Sequence, residues 1–170
     1  MVGNDGFIGV SLLMSGGSAL SRAVVRFAGQ SYRLRASAMA AGFERDAATR
    51  LPFLRYTQAL ITQMAQTAVC NRHHSIHQQL CRWLLLGLDR SEGNELMVTQ
   101  ELIAQMLGVR REGIAMAAGQ LQNDGFIRYA RGHIRVLDRA GLEHGVCECY
   151  SIVEKEYLRL MRDPRRTGSG

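Results

Sequence analysis

Four groups of side chains in this 170-residue sequence have the types and spacing to do chemistry. The first is Arg110, Arg111, Glu112 and Met116, in the stretch RREGIAMAAGQLQ. A guanidinium can bridge guanine O6 and N7 in the DNA major groove, and a carboxylate can accept from cytosine N4. Ala115 and Gly119 follow on the same outward side and are too small to hold a helix off a groove floor. The second group is Arg128, Arg131, His133 and Arg135, cationic side chains of the kind that hold phosphates without reading bases. The third is Cys70, His73, His74 and His77. His73 and His77 stand at i, i+4, as metal ligands on one helix face do. No Glu lies between them and the second half of a zinc motif is missing, so polar residues at a hinge are the plainer reading. The fourth is Gly16-Gly17-Ser18 followed by Ser21-Arg22-Ala23, where backbone amides and one guanidinium could cradle a phosphate. Cys147 and Cys149 flank Glu148 too closely for a usual zinc pair and read as core packing. No nucleophile with a base and an orienting group, and no carboxylate pair, stands at motif-like spacing, so an enzyme is not expected.

The elements that must position the first two groups are legible. Thr99 to Gln122, TQELIAQMLGVRREGIAMAAGQLQ, reads as two short helices around a tight turn. Leu102, Ile103, Met106 and Leu107 share one face of the first. Ile114, Ala117, Ala118 and Leu121 recur at helical spacing on the second. Thr99 is suited to cap the first helix and Gly108 to end it. Ala104 leaves room for the helices to cross. This is a helix-turn-helix plan, with the second helix directed at the major groove. Asp124-Gly125 ends that helix. Phe126 to Tyr129 and His133 to Leu137 then form a hairpin around Ala130-Arg131-Gly132, with Ile134 and Val136 alternating against His133 and Arg135. A hairpin directly after a recognition helix makes a winged helix. The expected DNA contacts are Thr99, Gln100, Arg110, Arg111, Glu112, Met116, Arg128, Arg131, His133 and Arg135.

Over Met97 to Leu137, with Leu142 following, the sequence resembles the DNA-binding domain of the Crp/Fnr superfamily of bacterial transcription regulators. TQELIAQMLGVRRE and LQNDGFIRYARGHIRVLD carry the match. The resemblance implies a homodimer on a pseudo-palindromic operator in double-stranded DNA, with RNA polymerase as a further partner. It would place Arg111 and Glu112 on base edges. Met116 falls where the third base-reading position is usually Arg, which departs from the familiar operator preference. It also makes the N-terminus look like the phosphate cassette of a cyclic-nucleotide-binding domain, with Gly6, Gly9, Ser21 and Arg22 in matching places. The acidic residue that would hold the ribose is replaced by Phe7, and the barrel strands that come earlier in the family are missing. No cofactor is therefore expected, cyclic nucleotide included, and the sensory part is expected to be degenerate or cut short by a late start.

Composition agrees with this class. The net charge is +6, from 21 basic and 15 acidic side chains, which suits an anionic partner. The longest apolar runs, such as Trp83 to Leu86, are too short to span a bilayer. No positive residue precedes the apolar Phe7 to Met14, so a signal peptide is not expected. Without a secretory context, Cys70, Cys81, Cys147 and Cys149 read as reduced cytoplasmic thiols.

The remaining chain is expected to be mainly helical, giving an α+β class with mainly α content. Residues 1–49 read as a partial sensory β-roll, with strands at Phe7 to Met14, Arg22 to Phe27 and Ser31 to Leu34, then a short helix at Ala36 to Glu44. Residues 50–70 hold a long helix, Leu51 to Val69, with Pro52 in its first turn. The resemblance makes this helix the dimer seam, with Phe53, Leu60, Ile61, Met64 and Ala68 at the interface. Residues 71–162 form the winged helix-turn-helix domain. It starts with a helix capped by Ser75 and anchored by Trp83, and it closes with a helix capped by Asp138 and another over Val146 to Met161. Residues 163–170 are expected to be a flexible tail. Two other readings stay open: a metal- or redox-responsive regulator using Cys70, His73 and His77, and a dimerising module without DNA binding.

Overall fold

The computed structural model describes residues 1–3, 6–14, 18, 22–25 and 29–161. The element order is α1 (Val10–Leu13), α2 (Ala36–Arg45), α3 (Ala47–His73), α4 (Ile76–Leu88), β1 (Glu95–Met97), α5 (Gln100–Leu107), α6 (Arg111–Asn123), β2 (Ile127–Ala130), β3 (His133–Val136), α7 (Arg139–Gly145) and α8 (Cys149–Met161). The described chain is thus mostly helical, with one small antiparallel sheet of order β1-β3-β2.

One core lies under the helix-turn-helix. Leu80, Leu84 and Leu85 of α4, Leu96 of β1, Ile103 of α5, Ile114 and Leu121 of α6, Ile134 of β3 and Leu142 of α7 have almost no exposed surface. Burying each such side chain contributes about 1.5–3 kcal/mol before conformational entropy is set against it. Trp83 joins this core, as its place on the apolar face of α4 predicts. The ends of the helices follow their capping residues. Ser75 and Gln78 form a capping box at the start of α4. The Thr99 hydroxyl accepts from the Leu102 amide at 3.3 Å, and Asp138 accepts from the Gly141 amide at 3.0 Å. Helix α6 ends in a Schellman turn, in which Phe126 N donates to Leu121 O at 2.9 Å and Gly125 N to Gln122 O at 3.0 Å. Gly125 has φ +76, a conformation that a side chain would strain.

The strand β1 is not among the expected elements. It is three residues long and pairs with β3, Leu96 opposite Ile134, so a run too short to display alternation becomes the sheet edge.

The N-terminal β-roll expected over residues 1–49 is not formed among the described residues. Phe7 to Met14 contains one helical turn, α1, while 22–25 and 31–34 are neither strand nor helix, and Arg26 and Phe27 lie outside the described residues. A strand needs a neighbour for its backbone groups, and no neighbouring strand is present among the described residues there. The segment rests instead on α3. The Phe7 ring lies 4.8 Å from Phe53 and 4.9 Å from Tyr56.

Helix α3 also starts a turn earlier than expected, because the Asp46 carboxylate accepts from the amides of Ala48 and Thr49. Pro52 therefore sits inside the helix rather than in its first turn. Helix α3 packs along α8, and the end of α3, with the start of α8, closes on a second small apolar cluster of Cys70, Cys147 and Cys149.

Candidate nucleic-acid interface

Helix α6 is held by its apolar side. Ile114, Ala117, Ala118 and Leu121 are buried against α4 and α5, which leaves Arg111, Glu112, Ala115, Met116 and Gln120 exposed. Met116 is 78% exposed, a large apolar side chain left uncovered among the described residues. Helices α4 and α6 approach closely at Gly113, where an added Cβ would stand 2.6 Å from Ile76 Cδ1, the far end of that side chain.

The start of α5 and the tip of the hairpin meet beside this exposed face. Val98 N donates to Gly132 O at 2.8 Å, and the Tyr129 hydroxyl donates to Val98 O at 2.9 Å. Tyr129 N in turn donates to Gln122 Oε1 at 2.8 Å, which ties the hairpin to the end of α6. Burial pushes the Tyr129 hydroxyl above its ordinary range, opposed by the nearby Arg111 guanidinium. The result is an open groove lined by Thr99, Gln100, Glu101, Arg111, Tyr129 and Arg131. The unsatisfied amides and positive end of α5 open toward it. Its floor is thus positive from the backbone and two guanidiniums, with Glu101 the single acidic member of the lining.

The tip itself is a two-residue turn between Ala130 and His133, with φ 49 at Arg131 and φ 79 at Gly132. Two consecutive positive φ values make a type I′ turn, whose twist matches that of paired strands. Arg is an unusual residue for the first of these positions.

The structure brings together Thr99, Gln100, Arg111 and Arg131, and it leaves Glu112 and Met116 on the adjoining open face of α6. Arg110, at the N-cap of α6, is exposed there as well. Arg128, His133 and Arg135 lie elsewhere. Strand alternation puts them on the exposed face of the sheet, opposite the buried Ile127, Ile134 and Val136. Arg135 is moreover engaged by Glu95 on the neighbouring strand, its Nε donating to Glu95 Oε1 at 2.6 Å. The sequence shows the alternation but not this cross-strand partner, because β1 is invisible in it.

The N-terminal residues expected to hold a phosphate do not form a cradle among the described residues. An added Cβ at Gly6 would stand 2.4 Å from the Tyr56 hydroxyl, so this glycine is accounted for by close packing on α3. Gly9 and Arg22 are exposed, and Ser21 lies outside the described residues, as do Gly16, Gly17 and residues 163–170.

On α3, Ile61, Met64 and Ala68 are exposed, as a seam requires. Phe53 and Leu60 are not: Phe53 is half-buried beneath Phe7, and Leu60 faces a crevice shared with Met1, Val153 and Tyr157. The exposed apolar line continues instead through Leu51 and Leu54. With Gln58, Ile61, Ala65 and Ala68 it keeps spacings of three and four, the pattern of a coiled-coil face.

The trio of the alternative metal reading, Cys70, His73 and His77, is not assembled. His73 is exposed at the end of α3, and His77 lies on α4 beside Cys81, 3.9 Å from its sulfur. The helix break at His74-Ser75 takes the two imidazoles off any common face. Cys70 is joined instead by His74, Cys147 and Cys149. Burial pushes the Cys70 thiol up to about 12, with Cys147 adding to the shift, and it raises Cys149 likewise. Cys147 and Cys149 do pack in a core, as the sequence reading has it, but that reading does not join them to Cys70 and His74. A usable signal was present, since Cys70 and His74 are themselves i, i+4 at the end of α3.

Residues 78–144 match the family model of the Crp-like helix-turn-helix domain. Among solved structures, the chain is similar to FixK2 from Bradyrhizobium japonicum, at 16% identity over 67% of this chain and 60% of that one, with a TM-score of 0.55. It is similar to a CRP-family transcriptional regulator from Thermus thermophilus at 21% identity over 59% of this chain and 54% of that one, with a TM-score of 0.51. A second regulator of that organism, of the CRP/FNR family, is 21% identical over 62% of this chain and 56% of that one, with a TM-score of 0.50. A search of curated proteins found no match. Residues 78–144 are therefore a Crp-like helix-turn-helix domain, and the solved structures that share its fold include transcriptional regulators of the Crp/Fnr family. The chain covers only 54–60% of the length of these three structures. Among the described residues, no helix is long and apolar enough to cross a membrane.

Proposed function

We propose that this chain is a sequence-specific, DNA-binding transcription regulator that acts in the cytoplasm as a homodimer on a pseudo-palindromic operator. The observation that carries the reading is the groove where the α5 N-terminus, Arg111 and Arg131 converge beside the open face of α6. Phosphates on one strand fit that groove: the first-turn amides of α5 that Thr99 does not cap, the Thr99 hydroxyl, Gln100 and Arg131 are all donors. Anchoring there directs α6 along the major groove, where Arg111 and Glu112 reach base edges. Met116 offers apolar contact, suited to a thymine methyl rather than to a guanine. The exposed line Leu51, Leu54, Ile61, Ala65 and Ala68 pairs two copies, so two recognition helices face successive half-sites.

The test is selection of a preferred site from a randomised duplex pool, followed by fluorescence anisotropy on that site across a salt series. A palindromic preference with two protomers bound supports the proposal. Equal binding to every duplex, or none at low salt, rejects it.

A further inference from the structure

We propose that Cys70, His74, Cys147 and Cys149 are the four ligands of a tetrahedral zinc site that staples the end of α3 to the start of α8. The four donor atoms come from elements far apart in sequence, yet they all lie within 4.8 Å of one another. Cys70 Sγ is 3.6 Å from Cys147 Sγ, and Cys149 Sγ is 3.6 Å from His74 Nδ1. Zinc bonds of about 2.3 Å to sulfur and about 2.05 Å to nitrogen give tetrahedral edges of about 3.8 Å between sulfurs and about 3.6 Å between sulfur and nitrogen. Two of the six edges match these lengths and none exceeds 4.8 Å, so a shift of about one ångström closes the set around one ion. The cluster is too tight for several irons with bridging sulfides.

Three further observations point to a cation in this place. The first is the second imidazole nitrogen. His74 presents Nδ1 to the cluster while Nε2 lies 3.3 Å from Glu148 Oε1. A carboxylate on the far nitrogen is the usual support of a metal-ligating His, fixing its tautomer and raising its basicity. The second is Arg82. Its side chain is 5% exposed, and its Nε is buried without a hydrogen-bond partner. Its Nη2 donates to the Thr67 hydroxyl, at 3.1 Å, and no carboxylate among the described residues pairs with it. A buried guanidinium without an anion is costly. Arg82 lies close enough to act electrostatically on both Cys70 and Cys149. Three thiolates and one divalent ion carry a net charge of −1, which supplies the missing counter-ion. The third is enclosure. Cys70, Cys147 and Cys149 are 1%, 4% and 1% exposed, which makes a closed set of four protein ligands, the arrangement of structural rather than catalytic zinc. Thiolate and imidazole donors in tetrahedral array select zinc over magnesium or calcium.

Binding replaces three S–H bonds with three zinc–sulfur bonds and releases three protons to solvent. His74 contributes a neutral nitrogen, and no oxidation state changes. Cys70 and His74 close the last turn of α3, and Cys147 and Cys149 stand where α7 gives way to α8. One ion would therefore fix the angle at which the long helix enters the winged domain.

The experiment uses the full chain, purified without chelator under reducing conditions, with zinc measured by plasma mass spectrometry. One zinc per chain is expected. Replacement by cobalt(II) should give the intense visible bands of a tetrahedral ion with thiolate charge transfer. The double variant Cys147→Ser, Cys149→Ser should lose the zinc, whereas His73→Ala should keep it. Glu148→Gln alters an exposed side chain, so it tests the site even where the serine variant does not fold. It should weaken zinc about 10–100-fold in competition with a chromogenic chelator. The proposal is overturned if the folded parent holds no zinc, if the cobalt spectrum lacks thiolate bands, if the serine variant keeps full stoichiometry, or if Glu148→Gln binds zinc as tightly as the parent.

Discussion

Arg131 combines two properties that one substitution separates. It sits at the first central position of the hairpin turn with φ 49, and it lines the proposed phosphate groove. A left-handed conformation costs a residue with an ordinary side chain about 1–2 kcal/mol, and Asn tolerates it best among residues other than Gly. Arg131→Asn should therefore raise stability by about 0.5–1 kcal/mol, a rise in melting temperature of about 1–4 °C for a chain of this size. The same change removes one phosphate contact. The slope of log affinity against log salt should fall by about 0.9. Between about 50 and 200 mM salt, the variant should then lose about 3.5-fold less affinity than the parent does. Arg131→Lys is the control: it keeps the charge and the strain, so it should change neither the melting temperature nor the slope appreciably. Differential scanning fluorimetry and salt-dependent anisotropy on one duplex read both effects. A lower melting temperature for Arg131→Asn would refute the turn argument, and an unchanged salt slope would refute the phosphate assignment.

Three further outcomes follow from packing. Ile61→Glu changes a side chain 43% exposed in the monomer, so it should leave the melting of the isolated fold near the parent's while light scattering shows monomers and operator binding is lost. Retained dimers would dismiss the α3 seam. Gly141→Ala places a Cβ 2.5 Å from the Phe126 ring, and urea unfolding should show a loss of about 1–3 kcal/mol; a neutral result would mean that the ring shifts freely. Tyr150 donates to Asp89 Oδ2 at 3.0 Å and accepts from Arg139 Nη2 at 2.9 Å, joining α4, α7 and α8. Tyr150→Phe should cost about 1–3 kcal/mol in the same assay, and no change would show that the network adds nothing net.

The helix-turn-helix and its hairpin were legible because their signals are local. The Thr99 cap, the Gly108 and Gly125 ends, the apolar period of α6 and the turn at Gly132 each act within a few residues, although Ala130, read as part of the turn, belongs to β2. What the sequence hid depends on contacts across long separations. Strand β1 exists only because β3 pairs with it, some 40 residues later, and with it comes the Glu95 partner of Arg135. Helix α3 carries apolar residues around much of its circumference. Which of them face outward is decided by α8 and by Phe7, so Phe53 and Leu60 could not be told from Ile61 by period alone. Apolar Phe7 to Met14 promised a strand, but a strand without a partner yields to the nearest helix surface. The four-donor cluster spans 77 residues between Cys70 and Cys147, and no spacing rule reaches that far.

The central claim is that α6 reads bases while the groove beside it holds phosphate. It is tested most directly by measuring the base preference of Arg111→Ala on a randomised operator pool. Loss of one bidentate contact costs about 1–3 kcal/mol at the base pair it reads. The account predicts that Arg111→Ala flattens preference at one position in each half-site and leaves the other positions unchanged. If Arg111→Ala weakens every sequence equally, Arg111 touches only the backbone, and α6 does not lie in the groove as proposed.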